Sequence, residues 1–149
     1  MAGFVFNRGG FELLGGSPGC VWTTAAIRFR LQPTAQGANN LDADVMTGLG
    51  STEATATITP ANKVGPTLDD AVDAVRYTSD NAVFPGAALA IGACNRMLIF
   101  RFVTNDADSV PLSYCDITPV TPNGGDVTVT VATEGGAGGT AWFYMQQHA

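Results

Sequence analysis

The apolar positions of this chain fall in short alternating runs separated by turn residues, and the longest run organises the others. Residues 97–103 read Met-Leu-Ile-Phe-Arg-Phe-Val, with one charge among seven positions. Aromatic and branched side chains suit a pleated, half-buried surface. Successive side chains of a strand point to opposite faces, so Leu98, Phe100 and Phe102 share one face and Met97, Ile99, Arg101 and Val103 the other. Both faces are largely apolar, which predicts a central strand covered on both sides. Residues 104–108, Thr-Asn-Asp-Ala-Asp, form a turn cluster. The apolar run at 111–117 is expected to return antiparallel.

Residues 1–14 form an apolar arm in which Phe4, Phe6 and Phe11 stand among Gly3, Gly9 and Gly10. Phe4 and Phe6 flank Val5 as in a short strand. Such an arm is expected to dock on a neighbouring chain through its three rings, the competing arrangement being an edge strand of its own sandwich. A Gly-Gly-Ser-Pro-Gly breaker follows at 15–19. Residues 21–31 read as a strand with Trp22 at its start, Ile27, Phe29 and Leu31 facing in, and Arg28 and Arg30 facing water. Leu41, Val45 and Leu49 have the spacing of a short helix over 41–49. Residues 51–59 alternate Thr with small residues as an exposed or edge strand, ended by Pro60, and Pro66 predicts a second break.

Further on, residues 75–78 and 82–84 are two short strands around a Ser79-Asp80-Asn81 turn. Pro85-Gly86 turns the chain into a small-residue strand at 87–93. Asn95-Arg96 is expected to turn into the central strand. Residues 126–133 place Val127, Val129 and Val131 inward and Thr128 and Thr130 outward. A last strand at 141–145 sets Trp142 and Tyr144 on one face. Strands this short, with a turn signal roughly every 8–12 residues, predict an all-β fold, an antiparallel β-sandwich or jelly-roll-like barrel with at most one short helix. The expected organisation is an N-terminal arm, 1–14, and a single sandwich domain, 15–149. Leu98, Ile99, Phe100, Phe102, Val129 and Trp142 are the expected core.

Composition narrows the function classes. Charged residues make up 13% of the chain, about half the usual ~25%. A surface poor in charge and rich in Thr and Gly suits a chain packed against neighbours. The net charge is −6, with seven basic residues scattered along the sequence, so no basic footprint for direct nucleic-acid binding exists. No apolar run is long enough for a membrane-spanning helix, and the first residues lack a signal-peptide core. The three cysteines, Cys20, Cys94 and Cys115, have no CxxC or His-Cys spacing and read as reduced, buried and inert.

Candidate chemistry is sparse. His148, the single histidine, is the second-to-last residue of the sequence, where no held geometry for a base is expected. Gly15-Gly16-Ser17-Pro18-Gly19 approaches a nucleophile elbow but lacks its strand-turn-helix setting. Asn105, Asp106 and Asp108 resemble part of a calcium loop without its central Gly or its Glu, and read as an Asx turn. Asp69, Asp70 and Asp73 form an acidic group expected to be a solvated loop. The glycines of 135–139 have no Lys for a phosphate cradle. Trp22, Trp142, Phe143 and Tyr144 suit either a core or a sugar-stacking surface. No catalytic, cofactor-binding or metal-ligating residue is assigned, and no cofactor is expected.

Several motifs in order resemble a family of small tailed-bacteriophage virion proteins. They are MAGFVFNRGGFELL, WTTAAIRFRL, LDADVMTGL, TLDDAVDAVRYTSDNAVF, AALAIGACNRMLIFRF and VTNDADSVPLSYCDI, ahead of a Thr/Val strand. The likeness runs over nearly the whole chain and departs from the pattern at 118–125 and 135–139. It implies a non-enzymatic protein of the head decoration or cement type, made in the host cytoplasm and carried on the virion. Its expected partners are the major capsid protein and further copies of itself, without nucleic acid or membrane. A tail or neck component, or a carbohydrate-binding sandwich for host adhesion, are the alternatives.

Overall fold

A computed structural model describes residues 3–15, 20–36, 41–47, 49, 57–69, 74–86, 92–130 and 142–146. Ten strands and one α-helix are present among them: β1 Gly3–Val5, α1 Asn7–Leu13, β2 Ile27–Pro33, β3 Thr57–Ile58, β4 Val64–Asp69, β5 Ala74–Thr78, β6 Ala82–Phe84, β7 Cys94–Arg101, β8 Val110–Val120, β9 Val127–Val129 and β10 Phe143–Gln146. All pairings are antiparallel. A five-stranded sheet runs β1-β8-β7-β2-β3, a three-stranded sheet β10-β5-β4, and β6 pairs with β9. The fold is all-β and sandwich-like, as the alternation predicted.

The predicted central strand is β7, third of five in the larger sheet. Its two faces feed two cores. Met97 and Ile99, with Ile27, Phe29 and Leu31 of β2, pack on Tyr77, Phe84 and Trp142 from the smaller sheets. Leu98 and Phe100 pack on Phe6, Met46 and Leu49. Leu98, Ile99, Phe100, Val129 and Trp142 are buried as expected, whereas Phe102 is half-buried. It lies just past the end of β7, where its N–H donates to Ala26 O and the Arg28 guanidinium sits 3.4 Å from its ring centre.

Four local expectations need correction. The described residues of the expected helix, 41–47 and 49, are turns and bends, because their backbone groups are spent on tertiary partners. Leu41 O accepts from Asn7 N, Met46 N donates to Ser109 O, and Thr47 N donates to Asp106 O. The single helix instead falls at Asn7–Leu13, within the segment read as an arm. Two glycines there disfavour a helix, but packing overrides propensity. A Cβ on Gly9 would stand 2.4 Å from the Cα of Leu112, so only glycine lets α1 lie against β8.

Pro66 does not end a strand. It sits inside β4, on the outer edge of the three-stranded sheet, at a register shift between Val64 and Thr67. An edge position with a bulge is where a strand tolerates a residue without an N–H. Asn95 and Arg96 form no turn, because β7 already begins at Cys94, with its register shifting between Cys94 and Arg96.

The turn at Ser79-Asp80-Asn81, the turn at Pro85-Gly86 and the short strands around them stand where the sequence placed them. Of the expected strand at 51–59 only β3 is described, at the edge of the larger sheet beside β2. Most of the 87–93 strand and the end of the 126–133 strand lie outside the described residues. Trp22 and Trp142 are core: their indole N–H groups donate to Thr78 O at 2.9 Å and Ser79 Oγ at 2.7 Å. Neither ring faces solvent as a sugar platform would require.

Candidate functional site

The three phenylalanine rings of the N-terminal segment, expected together on a partner surface, are divided in the structure. β1 pairs with residues 113–115 of β8, and Ser113 Oγ donates to Phe4 O at 2.7 Å. The segment is therefore an edge strand followed by a helix on its own domain. Phe6 is fully buried in the second core and is withdrawn from any partner. Phe4 and Phe11 remain exposed, at 41% and 53%. Phe4 stacks on Tyr114 with ring centres 5.0 Å apart, and Arg8 lies 5.7 Å from the Phe11 ring. Leu14, 77% exposed, follows Phe11 by one helical turn. Together they give the helix an apolar outer side.

The inner side of α1 holds a buried ion pair that sequence reasoning missed. Glu12 is fully buried, and its carboxylate accepts from Arg101 Nε at 2.7 Å and from Arg101 Nη2 at 2.9 Å. Arg8 Nε stands 3.5 Å from the same carboxylate. The hydrogen bonds to Glu12 raise the Arg101 pKa further above its ordinary value. The main-chain carbonyl of Glu12 also accepts from Gly15 N and Cys20 N. The pair pins the helix to the end of β7. No local pattern signals it, because the partners are 89 residues apart.

A second pair corrects the reading of Arg30 as a wet-face residue. Arg30 is 1% exposed. Its Nη1 and Nη2 donate to the two carboxylate oxygens of Asp106, each at 2.9 Å, and its Nε donates to Thr57 Oγ1 at 3.0 Å. The guanidinium also lies 4.7 Å from the centre of the Phe100 ring. A bidentate, stacked arginine is a site where Lys is no substitute. Asp106 is thus engaged inside the protein. Asn105 Oδ1 accepts from Ala107 N at 2.7 Å, the Asx turn expected in place of a calcium loop.

No group of three or more His, Cys, Asp or Glu side chains able to hold a metal occurs among the described residues. No described helix is long and apolar enough to cross a membrane. Asp70, Asp73, His148 and the 135–139 glycines lie outside the described residues.

Cys20, Cys94 and Cys115 are free and buried. Burial pushes the Cys20 thiol up to about 11 and the Cys115 thiol up to about 12, and raises Cys94 in the same sense. The thiolate is the nucleophile, so these groups resist alkylation in the folded state. Mass measurement without reductant is expected to show three labels after unfolding and none before. Unfolded thiols ionise near 9.0 while the folded ones stay protonated. Stability is therefore expected to be full below pH 9 and to fall as pH rises toward the folded values. A denaturation midpoint unchanged between pH 8 and 10.5 would contradict this.

A cleft of about 450 Å³ lies between residues 117–121 and 126–130, along β8 and β9. Its inner wall carries Ile117, Val127 and Val129, and its rim the exposed hydroxyls of Thr118, Thr128 and Thr130.

No protein-family model, no curated protein and no solved structure matches this chain.

Proposed function

We propose that this chain is a non-enzymatic virion structural protein of tailed bacteriophages, a capsid decoration or cement protein. It binds the major capsid protein and further copies of itself on the particle surface. The observation that carries this reading is the outer side of α1, where Phe11 on the helix and Leu14 at its C-cap are exposed, on a segment that the close approach at Gly9 and the Glu12–Arg101 pair seat against its own domain. An apolar surface seated before binding loses less ordering entropy than a free arm would. Each contact is weak, and a lattice multiplies it over many copies. The low charge of the chain suits such packing. Among the described residues, Glu12, Arg30 and Arg101 are spent on holding elements together, which fits a scaffold role.

The test is co-sedimentation of the purified protein with assembled shells that lack it. The doubly substituted Phe11→Ser/Leu14→Ser protein, altered only at exposed positions, is expected to keep its melting temperature and lose binding at least about tenfold. Wild-type protein that stays in the supernatant, or that labels the tail axis instead of the shell, would remove the reading.

A further inference from the structure

The link between β8 and β9 carries a chemistry of its own, independent of shell binding through α1. Its tip, 123–126, is exposed between the buried Pro122 and Val127. Asn123 is followed by Gly124, and no other asparagine of the chain precedes a glycine. Gly124 has φ +92°, in the left-handed region that glycine occupies without strain. The turn therefore places a residue with no side chain beside the Asn123 amide. Asn123 Oδ1 accepts from Gly125 N at 3.0 Å, an Asx turn that curls the side chain over its own following peptide. Among the described residues nothing accepts from the Asn123 amide nitrogen, and no main-chain carbonyl takes the Gly124 N–H.

We infer that Asn123 is a self-modification site, at which the side-chain amide is lost through a cyclic imide. The main-chain nitrogen of Gly124 gives its proton to solvent and bonds to Asn123 Cγ, closing a five-membered ring within one dipeptide. Negative charge gathers on Oδ1, the atom that the Gly125 N–H already faces, so the turn supplies the donor that stabilises it. The bond from Cγ to Nδ2 breaks, and the nitrogen takes up a proton and leaves as ammonia. Water then opens the ring. Opening at the side-chain carbonyl gives aspartate, and opening at the main-chain carbonyl gives isoaspartate. One water is consumed and one ammonia released, with nothing oxidised or reduced.

Asn105 is the internal contrast. Its Oδ1 also accepts, from Ala107 N at 2.7 Å, but its amide nitrogen donates to Asp108 Oδ2 at 3.2 Å. The residue after it is Asp106, whose carboxylate Arg30 holds. The turn is the same, and the approach to Cγ is crowded. Asn123 reacts without unfolding, since an exposed loop tip opens at almost no cost. An asparagine that had to wait for global unfolding would react at least about a thousandfold more slowly.

The two products differ in effect. Aspartate keeps an acceptor for Gly125 N and adds a negative charge to a chain already at −6. Isoaspartate routes the main chain through the side-chain carbon and lengthens the link to β9. There Asp126 Oδ1 accepts from Gly86 N at 2.9 Å and ties down the turn after β6, a tie that the longer link loosens.

The test incubates the folded full chain at mildly alkaline pH beside a capped peptide of residues 120–126. Peptide mapping by mass spectrometry reads amide loss at each asparagine, and enzymatic methylation of isoaspartyl groups reads the ring opening. Asn123 is expected to convert within about tenfold of the peptide's rate, with isoaspartate among the products, while Asn105 keeps its amide. Asn123→Ser, at an exposed position and still an acceptor for Gly125 N, is expected to keep its melting temperature and take no methyl label. In the isoaspartate-bearing fraction the Gly86 amide is expected to exchange at least about tenfold faster than in the Asn123→Asp protein. Conversion more than about tenfold slower than in the peptide, amide loss at Asn105 in step with Asn123, or aspartate without isoaspartate would overturn the inference. Equal exchange of Gly86 in the two forms would strike the effect on the turn after β6.

Discussion

Arg101→Ala is expected to lower the unfolding free energy by about 3–5 kcal/mol. The side chain it removes is the main partner of a carboxylate that water does not reach. Attraction between buried charges offsets their desolvation only while both are present, so taking one away leaves the other uncompensated. Arg8, at 3.5 Å from Glu12 and 36% exposed, is too distant and too well solvated to replace two short bonds. The loss should be read in a urea titration monitored by tryptophan fluorescence. The double substitution Glu12→Leu/Arg101→Met removes both charges and is expected to recover most of the loss. A single variant within about 1 kcal/mol of wild type, or a double variant no better than the single, would show that the pair is not a lock on α1.

Phe100→Ala is the second large effect, expected at about 3–5 kcal/mol. Phe100 is fully buried in the core behind the larger sheet, among Phe6, Leu98, Met46 and Leu49. Its ring also lies under the Arg30 guanidinium. Truncation removes apolar burial, opens a cavity and strips one face from a buried cation, and the covering residues 41–47 are tied by backbone bonds at Leu41, Met46 and Thr47 that limit their collapse. Phe100→Leu is expected to cost markedly less. Denaturant titration with the slope held common decides the matter, and a loss under about 1 kcal/mol for Phe100→Ala would mean that this face is not a core.

Period-two alternation made β7, β8, β2 and β9 legible, because one-sided or two-sided burial writes itself along a strand. The same rule failed at Arg30. A cation at an outward position looks solvated until a distant carboxylate, Asp106, and a covering segment close over it. The helix was illegible for a related reason. Asn7–Leu13 has two glycines and no side-chain cap, and its support comes from Leu112, Leu41 and Arg101, far along the chain. The opposite error at 41–49 has the same root, since helical spacing was present but the backbone found tertiary partners first. Of the candidate site, Phe4, Phe6 and Phe11 were legible as a group of rings but not which of them turns inward, since Phe6 is buried by Met46, Leu49, Leu98 and Phe100 from far along the chain, while the cleft between β8 and β9 depends on two strands that are neighbours in sequence and yet stay apart, which composition does not encode.

The seating of β1 and α1 along β8 also sets an order of events during synthesis. Phe4, Phe6 and Glu12 leave the ribosome early, but their partners Ser113, Leu112 and Arg101 follow by 89 residues or more. At ordinary elongation rates that interval is about 5–20 s. Through it the nascent chain carries three phenylalanines and an unpaired glutamate with nowhere to dock. Closing so long a loop is slow even after release. β1 and α1 are thus among the last of these elements to become native, and until they do, the edge of β8 that β1 covers is open to any other extended chain nearby.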